Sequence, residues 1–240
     1  MKKIFSIIAV FYACTFSAKA QKEFVVDENA EMRTVNGSFT KIRVSGAIDV
    51  FLSQSETQSI AISASEDKFK NGIKTEVENN VLNIYYDGEK NWRNNKKLKV
   101  YVSFKMLDEL QATGASDILV AGTLTASDLQ VNLSGASDFK GDVKVNTLSL
   151  KLNGASDVTL TGTASNVDIQ SSGASDVKGY GFAADYCNAT VSGASDVYIT
   201  INKELLAHAS GASNVRFRGN AIIKDMHTSG SASITKSGRK

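Results

Sequence analysis

The stretch Leu148-Ser149-Leu150-Lys151-Leu152-Asn153-Gly154-Ala155-Ser156-Asp157-Val158 decides the fold. Its first half alternates apolar and polar residues with a period of two, as a β-strand with one buried face does. Its second half is a glycine-led turn closing on another apolar residue. Outward from this stretch the turn returns as Gly-Ala-Ser-Asp or a variant at Gly114, Gly135, Gly154, Gly173, Gly193, Gly211 and, degraded, at Gly230. Successive steps are 21, 19, 19, 20, 18 and 19 residues. An early copy, Gly46-Ala47-Ile48-Asp49, stands 68 residues before the first.

The register runs beyond the tetrapeptide. The fourth residue after each glycine is Val50, Ile118, Phe139, Val158, Val177, Val197, Val215 or Ile234, always apolar. Between turns the alternation persists, as in Leu129, Val131, Leu133 and in Val197, Ile199, Ile201. Leucine-rich and helical repeats need other spacings. A 19-residue unit with short strands cannot bury its apolar face alone, but copies stacked at about 4.8 Å form parallel sheets around a shared core.

The expectation is therefore an all-β right-handed parallel β-helix, a β-solenoid with rungs of about 19 residues and an irregular β-rich N-terminal section. Steps of 18 to 21 fit, because a corner loop can absorb a residue where stacked strands cannot. Glycine suits a corner of positive φ or close approach, and the following Ala is expected to occupy a small inward site. The chain has no Pro, in keeping with strands that donate to a neighbour.

Residues 34–112 read as the irregular first section and cap, and 113–240 as the regular repeats. Ile60 and Ile62, and Val100, Val102 and Phe104, mark strands. A short helix is expected with Ser65 as N-cap, acids at Glu66 and Asp67, and Gly72 at its end. Ile73 to Glu78 and Val81 to Tyr86 read as a hairpin around Asn79-Asn80, residues that tolerate positive φ.

Residues 1–20 read as a signal peptide: Lys2 and Lys3, an apolar run from Ile4 to Phe16, and Ala18-Lys19-Ala20 before a cut at Gln21. Cleavage is preferred to lipidation at Cys14, because Phe11 and Tyr12 are bulky where a lipidation signal has small or aliphatic residues. Residues 21–33 form a lead segment. Cleavage would remove three lysines, taking Lys+Arg from 27 to 24 against 25 acids, so the charge argues for neither nucleic acid nor an anionic membrane. Cys187 would then be the sole cysteine, leaving no internal disulfide. No second apolar stretch is long enough to cross a membrane.

These residues resemble the family of putative auto-transporter adhesins with a head GIN domain. The likeness runs from about Phe39 to the C-terminus: Val44-Ser45-Gly46-Ala47-Ile48-Asp49-Val50-Phe51-Leu52, a Leu82-Asn83-Ile84 segment, then serial Ser-Gly-Ala-Ser-Asp-Val copies. The resemblance implies an exported β-helical protein with an adhesive or envelope role, and brings no catalytic residues with it.

The repeat supplies its own candidate sites. Asp117, Asp138, Asp157, Asp176 and Asp196, followed by Asn214, would stack one per rung, where like charges repel by up to about 1 kcal/mol per pair. Calcium between rungs would offset this; so would hydrogen bonds from Ser side chains or amides of each residue's own turn, the preferred reading because the glycine-rich calcium nonapeptide is missing. His208 and His227 each lie three residues before a repeat glycine, so adjacent rungs would join them, as a metal pair or as solvent-facing neighbours. Trp92, Arg93, Lys96, Lys97 and Lys99 form a basic aromatic loop. A Ser-His-Asp triad lacks any nucleophile-elbow motif.

The sequence thus leads to a non-catalytic exported envelope or surface protein, without cofactor unless calcium, that binds a polysaccharide or protein through polar β-helix faces. A polysaccharide-degrading β-helix enzyme and a purely structural envelope module are the alternatives.

Overall fold

The computed structural model describes residues 26–88 and 96–238. The expected signal peptide with Cys14, the cut at Gln21, and Trp92 and Arg93 of the basic loop lie outside the described residues.

In chain order the strands are β1 (Glu31–Arg33), β2 (Lys41–Gly46), β3 (Asp49–Gln54) and β4 (Ser59–Ser63), then the helical turn α1 (Asp67–Lys70). There follow β5 (Ile73–Glu78), β6 (Val81–Tyr86), β7 (Lys99–Phe104), β8 (Glu109–Gly114), β9 (Asp117–Thr125) and β10 (Asp128–Gly135). The long strands β11 (Asp138–Leu152), β12 (Val158–Ser171), β13 (Val177–Val191) and β14 (Asp196–Ala209) precede β15 (Asn214–Arg218), β16 (Ile222–Thr228) and β17 (Ser233–Lys236). Apart from β1, β4 and β5, they stack in parallel as a β-solenoid of about seven turns, about 19 residues apart.

The corner glycines make this stacking feasible. Gly135 has φ +82°, and a Cβ there would lie 2.4 Å from the carbonyl oxygen of Gly114 in the turn below. That carbonyl instead accepts the amide of Ala136 at 2.7 Å. Backbone angle and close approach together leave room for glycine alone, and the same contact recurs from Gly114 to Gly230.

The alternating apolar residues form columns through the core. Leu82, Ile42, Leu110, Val131, Leu150, Ile169, Ala189 and Ala207 lie in register, one per turn, and all are buried. A second column runs from Val100 through Val50, Ile118, Phe139, Val158, Val177 and Val197 to Val215. Each large member contributes about 1.5–3 kcal/mol by burial, which stands in for the missing disulfides. The 20-residue step from Gly173 to Gly193 is absorbed at a corner, where the register of β12 against β13 shifts between Thr159 and Thr161.

One expectation about the repeat is overturned. The Ala after each glycine is exposed, and the inward residue is the Ser: Ser116, Ser137, Ser156, Ser175, Ser195 and Ser213 are fully buried. The apolar fourth residue points inward, so period-two alternation carries the residue two before it inward as well. These hydroxyls are satisfied by backbone: Ser213 Oγ donates to the Ser210 carbonyl at 2.8 Å, and Ser195 Oγ accepts the Ser175 amide at 3.2 Å.

The 68-residue gap after Gly46 also has a structural cause. β8 and β9 stack directly on β2 and β3, while the intervening chain runs back beneath them, β6 under β2 and β7 under β3. Around this end β5 pairs antiparallel with β6, β4 with β7 and β1 with β4. The β5–β6 turn is Asn79-Asn80, at φ +50° and +67°. Helix capping departs from expectation: the N-cap is Glu66, without a side-chain bond, and the Ser65 amide donates to the Lys96 carbonyl. Gly72 keeps an ordinary φ; a Cβ there would sit 2.4 Å from the Tyr86 ring, which would have to shift to admit it.

At the other end β16 is exposed along its whole length. Met226 continues the first core column above Ala207 but is 50% exposed.

Candidate functional site

The acidic column occupies the first corner, just after the glycines. Asp138 Oδ1 accepts the Asp157 amide at 3.1 Å, Asp157 Oδ1 the Asp176 amide at 3.3 Å, and Asp176 Oδ1 the Asp196 amide at 3.3 Å. Asp196 Oδ1 then accepts from the side chain of Asn214 at 2.7 Å, and Asn214 Oδ1 accepts the Ser233 hydroxyl. The donors belong to the next turn and not, as expected, to the residue's own turn, because the stacked corner aims each carboxylate along the solenoid axis.

Charge compensation is uneven along the column. Lys178 Nζ contacts Asp157 at 2.6 Å and Asp176 at 3.9 Å, and its own pKa is raised by the bond to Asp157. Asp196 also receives the Tyr198 hydroxyl at 2.9 Å and lies 3.4 Å from Arg216. Burial opposes its ionisation, yet these bonds hold its carboxyl below the usual range. At the opposite end Asp117 is pushed up by burial and by Asp138, and Asp49, in register with it, by burial and by Asp117. Among the described residues no three His, Cys, Asp or Glu side chains converge to hold a metal.

His208 and His227 are adjacent, as their spacing predicts, with ring centroids 6.2 Å apart. His208 Nε2 meets Asp225 Oδ2 at 2.8 Å, both groups exposed. An acid on one ring nitrogen is a single arm of a triad, and among the described residues no serine hydroxyl bonds His208, so the pair is a hydrogen-bonded surface contact. Two members of the basic loop are engaged: Lys96 lies 4.4 Å over the Tyr86 ring, and Lys99 binds Asp27. Burial pushes the Cys187 thiol up to about 12, which suits a core residue and not a nucleophile.

The second corner carries a feature that the sequence reading missed. A groove of about 410 Å³ is lined by Thr125, Lys144, Asn146, Thr163, Ser165, Asp185 and Asn202, with Ala126, Val145, Ala164 and Ala183 forming its apolar floor. Asn202 also lines a cleft of about 630 Å³ with Thr200, Arg218, Asn220, Lys236 and Ser237, so the two meet at that turn. The acid in the groove, Asp185, is paired with Lys203 at 2.8 Å. Around the cleft Arg218 stacks 3.9 Å over the Tyr180 ring, Tyr180 packs edge-on against Tyr198, and the Tyr180 hydroxyl bonds Ser237 Oγ at 2.8 Å. The available signal was positional: Lys144, Thr163, Asn202 and Asn220 each stand nine residues after a repeat glycine.

Glycine turns, buried serines and stacked acids recur across the span of one family model, matched over residues 38–221 and described as putative auto-transporter adhesin, head GIN domain. The chain belongs to this family. The head GIN solenoid also resembles solved structures. One, described as a putative adhesin from Bacteroides fragilis, is 21% identical with a TM-score of 0.81, covering 88% of this chain and 98% of that one. Another, described as a putative lipid binding protein from Parabacteroides distasonis, is 18% identical with a TM-score of 0.66 over 88% and 98%. A putative adhesin from Parabacteroides merdae is 17% identical with a TM-score of 0.61 over 88% and 96%. At these identities the likeness concerns the fold. No curated protein matches the chain. Among the described residues no helix is long and apolar enough to cross a membrane.

Proposed function

We propose that this head GIN protein is a non-catalytic, exported adhesin of the cell envelope that binds an extended polysaccharide along its second corner. The observation that carries the reading is the meeting of groove and cleft at Asn202, which gives a polar track from Thr125 to Lys236. Its hydroxyls and amides recur at the turn spacing of about 4.8 Å, so a repeating ligand can make many weak hydrogen bonds without a deep pocket. The family description supports the adhesive role, and the apolar run with Ala18-Lys19-Ala20 supports export of a chain beginning at Gln21. The antiparallel pairings of β5 with β6 and of β4 with β7 support reading 34–112 as the section that caps the solenoid.

Retention of the purified protein on a panel of immobilised envelope and host polysaccharides tests the proposal, with fragment release followed in the same wells. Saturable retention without fragments is the expected result. Fragments would make the protein a polysaccharide-degrading enzyme, and no retention on any polysaccharide would turn the search to protein partners.

A further inference from the structure

Resting on that reading, we infer that the cleft around Arg218 and Lys236 is an anion subsite, which selects polysaccharides carrying a carboxylate or sulfate group. Arg218 has no hydrogen-bond or ion-pair partner among the described residues, although its Nε is buried and its guanidinium is fixed against Tyr180. A buried donor without an acceptor is costly, and a planar guanidinium held by stacking is already oriented for an oxyanion. Lys236, exposed on the same cleft, has no acidic partner among the described residues either. Other cations nearby are engaged: Arg216 with Asp196, Lys203 with Asp185 and Lys224 with Glu204. The two uncommitted cations therefore face one space.

The neighbours of that space suit a sugar. Asn202 and Asn220 offer amides, Thr200 and Ser237 offer hydroxyls, and a volume of about 630 Å³ lies in the range of small-ligand sites. The Thr200 hydroxyl donates to the Tyr180 carbonyl at 2.9 Å, leaving its oxygen free to accept. Because the groove enters the cleft at Asn202, a chain lying along the second corner would deliver its acidic groups to Arg218 and Lys236.

Affinities of the purified protein for a galacturonate oligomer, dextran sulfate and neutral dextran, by titration calorimetry, test the assignment. At least one anionic polymer is expected to bind about tenfold or more tightly than dextran, and whichever does so identifies carboxylate or sulfate as the group. Arg218→Gln and, separately, the surface change Lys236→Gln should each remove most of that advantage. Lys140→Gln, on another exposed face, should leave it intact; equal loss there would mean bulk charge only and overturn the inference. Equal affinity for dextran, or an anionic preference that survives both cleft substitutions, overturns it too. Binding of the anionic polymers that is weakened by Asn146→Ala but not by Arg218→Gln would remove the anion subsite and keep the groove. An absence of binding to all three polymers and to the wider panel would remove both.

Discussion

The amide of Asp157 donates to the carboxylate of Asp138, one turn earlier, at 3.1 Å. This bond explains how a column of like charges persists in the solenoid, since the carboxylates of Asp138, Asp157, Asp176 and Asp196 are each held by a donor from the next turn and not by a counter-ion alone. Asn keeps the accepting oxygen and removes the charge. Asp138→Asn should therefore leave stability unchanged or raise it slightly, while Asp138→Ala, which strips the acceptor, should cost about 1 kcal/mol. Urea unfolding of the two variants beside the wild type separates these outcomes; equal losses would mean that the bond contributes nothing.

Much of the fold was legible because the repeat states both its period and its apolar register. Two features were not. The Ser-for-Ala reversal arises because a positive-φ corner takes up one residue before the strand alternation resumes, so counting from Gly135 misplaces Ala136 while counting back from Phe139 places Ser137 correctly. The polar track was hidden because its residue types differ from turn to turn, Lys144, Thr163 and Asn202 among them, and only their position repeats. The acidic and histidine neighbours were legible from spacing alone, but Asp225 reaches His208 through a register shift between Leu205 and Leu206 that no period reveals.

The corner sets a second expectation. Gly154 has φ +84°, and its Cβ would lie 2.5 Å from the Gly135 carbonyl oxygen. Gly154→Ala should cost at least about 2–3 kcal/mol, from strain and the displaced turn together. The adjacent change Ala155→Ser, on the exposed side of the same corner, should fall within about 0.5 kcal/mol of wild type. Thermal melts of both proteins would expose the error if Gly154→Ala melted with the wild type.

The raised carboxyls fix a pH dependence. A carboxyl whose folded pKa lies above the unfolded value of 3.8 binds its proton more tightly when folded, so Asp49 and Asp117 favour folding in acid. Their contribution declines as pH rises from the unfolded value through the raised one, and stays diminished at neutrality. Asp196 has the opposite sign: its contribution is present above 3.8 and is lost as pH falls through its lowered value. Asp117→Asn should accordingly raise unfolding free energy at pH 7 relative to wild type, with the gain vanishing near pH 3. Asp196→Asn should lose stability at pH 7 and converge with wild type in strong acid. Denaturant titrations at the two pH values give the signs directly, and a gain for Asp117→Asn at pH 3 alone would reverse the assignment.

Asn202 is the residue shared by groove and cleft, and its exposed side chain supports no part of the core. Binding and folding should therefore separate at this position. Asn202→Ala should weaken polysaccharide retention by about 2- to 10-fold, the worth of one or two hydrogen bonds, while the melting temperature stays within experimental error. Asn202→Trp should do more, because a bulky ring at the junction would block a chain from running between groove and cleft. If the Trp variant bound as well as wild type, the ligand would have to lie elsewhere, and the first-corner acids would become the next surface to vary. Loss of retention in both variants, with melting unchanged, would place the bound chain across the junction and make the second corner the binding face.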